Sequence, residues 1–263
     1  MKLLLSNDDG VFASGIKILA ETLGKTHEIF VSAPDAERSA VSRSMTLFNP
    51  IRAKETRIEG LPDVPAYAVS GTPVDCVRLA LGNLFPEPDI VVSGINLGPN
   101  LGTDVLYSGT VAAAHEAALL GYQSIAISCL SYEGEHLETA TRVAAMAVEY
   151  LAKHPLDFGT LLNVNVPAVP FSELKGIKAA PLGVQQYALE FVEREDPMDR
   201  KYYWAPRCCT TCVDGLDVDV RWANEGYVTL TPLTYDLTNT ARLNEIAAQA
   251  LTLTQESDLT KRG

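Results

Sequence analysis

Apolar residues in this chain fall into two alternating patterns. Short apolar runs closed by small or polar residues are followed by stretches whose apolar positions recur every three or four residues. The run at 3–5 stops at Ser6-Asn7-Asp8-Asp9-Gly10. An apolar run this short, bounded by turn chemistry, fits a fully buried strand of a parallel sheet. Ile16, Leu19, Ala20 and Leu23 then repeat at helical spacing. Residues 27–33 predict a second strand ending at Pro34-Asp35, and 36–44 a polar loop too rich in hydroxyls and arginines for a core. Strand-like stretches surround Pro50 over 46–57. Residues 67–73 predict a strand feeding a helix, with Thr72 as N-cap and Pro73 in the first helical position. That helix would carry Val74, Val77, Leu81 and Leu84 inward. A buried strand over 89–93 leads into a glycine-rich loop over 94–109, then an alanine-rich helix over 111–120. A strand at 123–129, a long amphipathic helix at 137–151 and a strand at 161–167 complete the series. Such regular alternation predicts an α/β fold with a doubly wound, mainly parallel sheet. Beyond 167 the rhythm breaks into β-like pieces at 201–204 and 227–232, a helix at 239–251 and a frayed tail from 256. The expected organisation is a core over 1–167 and an extension over 168–263, which completes the domain and serves contacts between subunits.

Composition narrows the chemistry. With 263 residues, 47% of them apolar, the chain has material for one sizeable core. A net charge of -12 and a pI near 4.8 argue against binding long nucleic acid, which needs a basic face. They leave room for a small anionic substrate, because a metal reverses the local sign. The opening leucines are too few for an export signal, no apolar run reaches membrane-spanning length, and five cysteines are an odd number for a disulfide framework. A cytoplasmic address without membrane partners is expected.

In sheets of this kind, ligands gather beyond the carboxyl ends of the strands, where Asp8 and Asp9 fall. Adjacent carboxylates repel, and withdrawing both from water is costly without a cation. They form half of a candidate magnesium or manganese site, or else a solvated turn. Asn96, coming straight off the next strand, offers a neutral oxygen at the same edge. Glycines at 94, 98 and 102 would let backbone approach a ligand. Ser108, Gly109 and Thr110 open a helix, where free N–H groups and two hydroxyls make either a phosphate seat or an ordinary cap. None of the four histidines lies in a motif, which disfavours a Ser-His triad and a phosphohistidine. Hydrolysing a phosphate monoester can need acceleration of up to ~10²¹, roughly 29 kcal/mol, whereas one preorganised donor supplies only ~3–4 kcal/mol. A cation that activates water and neutralises phosphoryl oxygens is the natural large contribution. The Cys-x-x-Cys spacing within Cys208, Cys209 and Cys212 lacks the further soft ligands a zinc site needs.

The segments 5–10, 33–42, 70–77, 92–102 and 107–114 run in order as Leu-Ser-Asn-Asp-Asp-Gly, Ala-Pro-Asp-x-x-Arg-Ser-x-x-Ser, Ser-Gly-Thr-Pro-x-Asp-Cys-Val, Val-Ser-Gly-Ile-Asn-x-Gly-x-Asn-x-Gly and Tyr-Ser-Gly-Thr-Val-x-Ala-Ala. This series resembles that of the SurE family, the stationary-phase survival nucleotidases, and the match resumes at Asp219 and over 226–233. The resemblance implies a Rossmann-like domain and metal-dependent removal of phosphate from nucleoside 5′- and 3′-monophosphates, with some action on short polyphosphate. It implies metal ligands at Asp8, Asp9, Ser39 and Asn96, a dimer or tetramer, and Mg²⁺ or Mn²⁺ as cofactor. Ala40 stands where the family usually has glycine, and Thr234-Tyr235-Asp236 where many members carry a histidine. With Ser108, Gly109 and Thr110 seating phosphate, Asp8 or Asp9 would orient or deprotonate the attacking water; attack by Asp8 itself is the alternative. A rival class is a receiver-like signalling module that binds magnesium, but it would be about half this length and carry an acceptor aspartate after its third strand.

Overall fold

The computed structural model describes residues 1–205, 209–213 and 217–248. The side chains of the cysteine cluster and the tail expected from 256 lie outside the described residues. The leucine run forms β1 (Lys2–Ser6), followed by α1 (Ser14–Leu23), β2 (Glu28–Pro34), β3 (Ala53–Ile58), β4 (Leu61–Val69), α2 (Pro73–Leu79), β5 (Ile90–Leu97), α3 (Gly109–Leu119), β6 (Gln123–Cys129), α4 (Leu137–Lys153) and β7 (Thr160–Val166). After these come β8 (Ile177–Ala179), β9 (Val184–Tyr187), β10 (Val192–Glu195), β11 (Lys201–Trp204), β12 (Cys209–Val213), α5 (Asp219–Asn224), β13 (Val228–Thr234) and α6 (Thr240–Ala248).

The main sheet runs β3-β4-β2-β1-β5-β6-β7-β13-β8. From β4 to β7 every neighbouring pair is parallel, and the two antiparallel joints are β3 to β4 and β13 to β7. The two-residue period of a strand explains how three consecutive leucines are all used. Leu3 and Leu5 face the cluster with Ile16, Leu19 and Leu23 of α1 and Val143, Ala144 and Val148 of α4. Leu4 faces the other cluster, with Val77 of α2 and Ala113 and Ala117 of α3. Helices therefore cover both faces, and β1 lies inside the sheet with β2 and β5 as its neighbours. Among the described residues no helix is long and apolar enough to cross a membrane.

Three expectations change. The segment from 94 is strand, not loop, as far as Leu97, because β5 resumes pairing with β6 (Asn96 opposite Ser128) after a bulge between Ser93 and Asn96. A glycine inside a strand is a common place for such a bulge. Residues 46–52 form no strand, so β3 begins only at Ala53. Finally, α2 ends at Leu79 and continues as a π-helical turn, Ala80–Leu84, which leaves Leu81 and Leu84 half-buried. Thr72 and Asp75 do form the reciprocal capping box at its start.

Candidate active site

The turn after β1 is fixed by its own amide. Asn7 Nδ2 donates to the Gly10 carbonyl (2.9 Å), and the Gly10 N–H donates to Asn7 Oδ1 (3.1 Å). The next two residues are thereby held at the sheet edge. Asp8 is buried, 4% exposed, and burial pushes its carboxyl up; the Thr110 hydroxyl, which donates to its Oδ1, and the backbone amides of Asp8, Thr110 and Gly109 act against that. Asp9 is raised to about 6, first by burial and then by the Asp8 charge, with Glu37 adding to the repulsion and the Leu97 backbone amide opposing it. Asp9 Oδ2 is buried and has no hydrogen-bond partner among the described residues. Two acids withdrawn from water, one with an orphaned oxygen, are an arrangement that a cation would relieve.

Asn96 stands next to Leu97 at the end of β5, and its Nδ2 donates to the Gly98 carbonyl (2.8 Å). This bond orients the amide and leaves Oδ1 for another partner. Ser39 is exposed and its hydroxyl donates to Glu37 (2.7 Å), and its loop is tied to the acids by the backbone, through the Arg38 N–H on the Asp8 carbonyl (2.7 Å). Farther along that loop, the Ser42 N–H donates to the Tyr107 carbonyl (2.9 Å) and its hydroxyl to the Leu106 carbonyl (2.7 Å). Arg43 reaches the His115 ring on α3. His115 is depressed to about 4, by burial first and the Arg43 charge second.

The start of α3 is already engaged. Ser108 caps it, accepting from the Val111 N–H at 3.0 Å, while Thr110 is fully buried against Asp8. A Cβ on Gly109 would lie 2.7 Å from Asp8 Cβ, so glycine is what lets this helix close on the acid. Glycines 94, 98 and 102 make room for protein and not for a ligand. A Cβ there would meet the Ile127 carbonyl, the Tyr132 ring and the Gly183 carbonyl, at 2.3, 2.5 and 2.9 Å.

One support, the tie between the loop after β5 and β7, escaped sequence reasoning. Asn100 is tied to β7 by its N–H on Asn165 Oδ1 (2.8 Å), and its carbonyl accepts from Asn163 and Asn165 (2.9 and 3.0 Å). The advance signals were Asn100 itself, within the matched segment 92–102, and two asparagines in the mainly apolar strand β7. Among the described residues, no group of three His, Cys, Asp or Glu side chains gathers for a metal. A cation here would thus rest on the acid pair and neutral oxygens, a hard donor set that suits Mg²⁺ or Mn²⁺.

The sequence profile of the family described as "Survival protein SurE" matches residues 3–189. The chain belongs to this family. It is 48% identical over 256 residues to a protein of Synechococcus elongatus named 5'-nucleotidase SurE, covering 94% of this chain and 98% of the relative. A Natranaerobius thermophilus protein of the same name is 43% identical over 253 residues, covering 94% and 98%. The fold agrees with the crystal structure of the SurE protein from Aquifex aeolicus, at a TM-score of 0.80 and 35% identity, covering 95% of this chain and 99% of that one. The receiver-like alternative is not favoured.

Proposed function

We propose that this chain is a divalent-metal-dependent nucleotidase that releases orthophosphate from nucleoside 5′-monophosphates, and also from 3′-monophosphates and short polyphosphate. Membership in the family, together with an acid pair lying under a helix N-terminus, supports this reading. Asp8, Asp9, Asn96 and Ser39 would hold Mg²⁺ or Mn²⁺; Ser39 would have to exchange its Glu37 contact for the metal. When bound, the cation neutralises phosphoryl oxygens and lowers the pKa of water. Ser108, Gly109 and Thr110 would seat the phosphate at the positive end of α3. Asp8 already accepts the Thr110 hydroxyl, whereas Asp9 Oδ2 has no partner. Asp9 is therefore the better placed of the two to take the proton from water, and Asp8 to brace the helix start. Attack by Asp8 itself would have to come from Oδ2, since Oδ1 accepts the Thr110 hydroxyl. The single observation that carries the proposal is the orphaned oxygen on Asp9 beside a second buried acid.

The exposed side chains of Phe191, Tyr203 and Trp204 on the outlying hairpin, and an α6 that buries none of residues 240–248, support a homodimer or homotetramer built through the extension. Cytoplasmic residence and small-molecule substrates complete the reading. The test is orthophosphate release from AMP and GMP, in 5′ and 3′ forms, by purified protein with Mg²⁺ or Mn²⁺. Activity should vanish in excess chelator and return with metal. Full activity in protein shown to be metal-free would overturn it.

A further inference from the structure

We propose that Asp219 and Gln185 clamp the turn leading into α3 and thereby position the phosphate seat. Asp219 is fully buried at the start of α5, and no Lys or Arg pairs with it among the described residues. Its carboxylate is instead spent on peptide groups. Oδ2 accepts from the Gly102 N–H at 2.8 Å, and Oδ1 accepts from the Gly183 and Val220 N–H groups at 2.7 and 2.8 Å. One buried carboxylate therefore joins three separate pieces of chain.

Gln185 of β9 grips the same turn from the side. Its carbonyl accepts the Thr103 hydroxyl (2.7 Å), and its Nε2 donates to the Leu101 carbonyl (2.8 Å) and to Asp104 Oδ2 (3.0 Å). The gripped residues form a 3₁₀ turn, Gly102–Leu106, whose end is closed by the Tyr107 N–H on the Asp104 carbonyl (3.0 Å). The next residue, Ser108, caps α3. The turn's last carbonyl, Leu106, and its neighbour Tyr107 also receive Ser42, so a shift of the turn moves the helix start and the Ser42 end of the loop, whereas the Ser39 end is tethered through Arg38 to the Asp8 carbonyl. Because Gly109 touches Asp8, little displacement is tolerated there.

An acid is required because every contact is a donor. An amide in its place offers one oxygen, and its NH₂ group must oppose an N–H on one side of the bridge. The metal ligands at the ends of β1 and β5 do not hang on this clamp, so damage to it should separate phosphate binding from metal binding.

This inference rests on the phosphate seat proposed above. The experiment is calorimetric titration of Mn²⁺, and of orthophosphate into Mn²⁺-loaded protein, for wild type, Asp219→Asn and Gln185→Met. AMP turnover is measured in parallel. Both variants should keep Mn²⁺ affinity within twofold. Asp219→Asn should weaken orthophosphate at least tenfold and lower kcat/KM by more; Gln185→Met should do the same to a smaller degree. Orthophosphate affinity within twofold of wild type in Gln185→Met, and in Asp219→Asn where it folds, would overturn the clamp whatever the melting temperatures. If wild type binds orthophosphate but leaves AMP intact, the nucleotidase reading fails while the clamp is still judged by the titrations. If wild type binds no orthophosphate, both fall.

Discussion

Asp8 and Asp9 are chain neighbours with different environments: one is braced by a hydroxyl and backbone amides, the other keeps a bare oxygen. In the metal-free protein Asp9 holds its proton to about pH 6, against 3.8 for an ordinary aspartate. Between those values folding takes up a proton, so stability falls as pH rises through the window, and the deficit is complete above 6. Asp9→Asn should therefore raise the stability of the metal-free protein at pH 7.5 by about 1–3 kcal/mol, and change it little below pH 4. Thermal melts at the two pH values read this directly. Asn96 separates ligand from packing. Asn96→Ala should lose Mn²⁺ affinity and activity while costing no more than about 1 kcal/mol, the usual worth of its bond to Gly98. Asn96→Asp should hold or gain Mn²⁺ affinity yet slow turnover, since a third negative charge repels the phosphate. Wild-type Mn²⁺ affinity in Asn96→Ala with a lowered melting temperature would remove Asn96 from the site. The two acids and Asn96 were legible because polar residues at the ends of apolar runs stand out. The long-range pairings around them were not, since Thr110 lies 102 positions from Asp8, and Asp219 lies 117 from Gly102. Local spacing carries no trace of such pairs.

Among the elements, α3 combines the most duties. Its first turn meets the acids, and its alanines at 112, 113, 114, 117 and 118 are buried, so it shows no polar stripe to mark a face. Its buried histidine ties it to the Ser39 loop through Arg43. His115 stays neutral in the folded chain to about pH 4, against 6.5 unfolded. The stability this contributes is full above 6.5 and is lost as pH falls toward 4. Arg43→Ala should raise the His115 pKa but leave it below 6.5, because burial is the larger cause; ring-proton NMR titration measures it. A pKa unchanged in that variant would mean the guanidinium lies elsewhere in solution. Sequence spacing located α3 well, yet it ended β5 too early. The Gly94-Ile95 bulge looks like a strand terminus when only composition is seen, and the pairing with β6 that continues it is supplied by distant residues.

For the whole molecule, alternation of strand and helix to residue 167 was enough to predict the parallel sheet, since β1-α1-β2, β5-α3-β6 and β6-α4-β7 each join adjacent strands; only the crossover through α2 jumps, from β4 to the far side of β1. The extension was harder, because β13 joins β7 antiparallel and β8 then joins β13, an order that no local pattern announces. Its outlying hairpin and α6 leave apolar side chains in solvent. Light scattering at micromolar concentration should accordingly give a dimer or tetramer; a fully active monomer would refute the assembly. The inner position of β1 has a further consequence, for synthesis. The acids are synthesised long before their surroundings, since β5, on one side of their strand, is not finished until residue 97, and the grip on the Gly102 turn waits for residue 219. A chain interrupted between those points would thus carry both carboxylates without the surroundings that hold them.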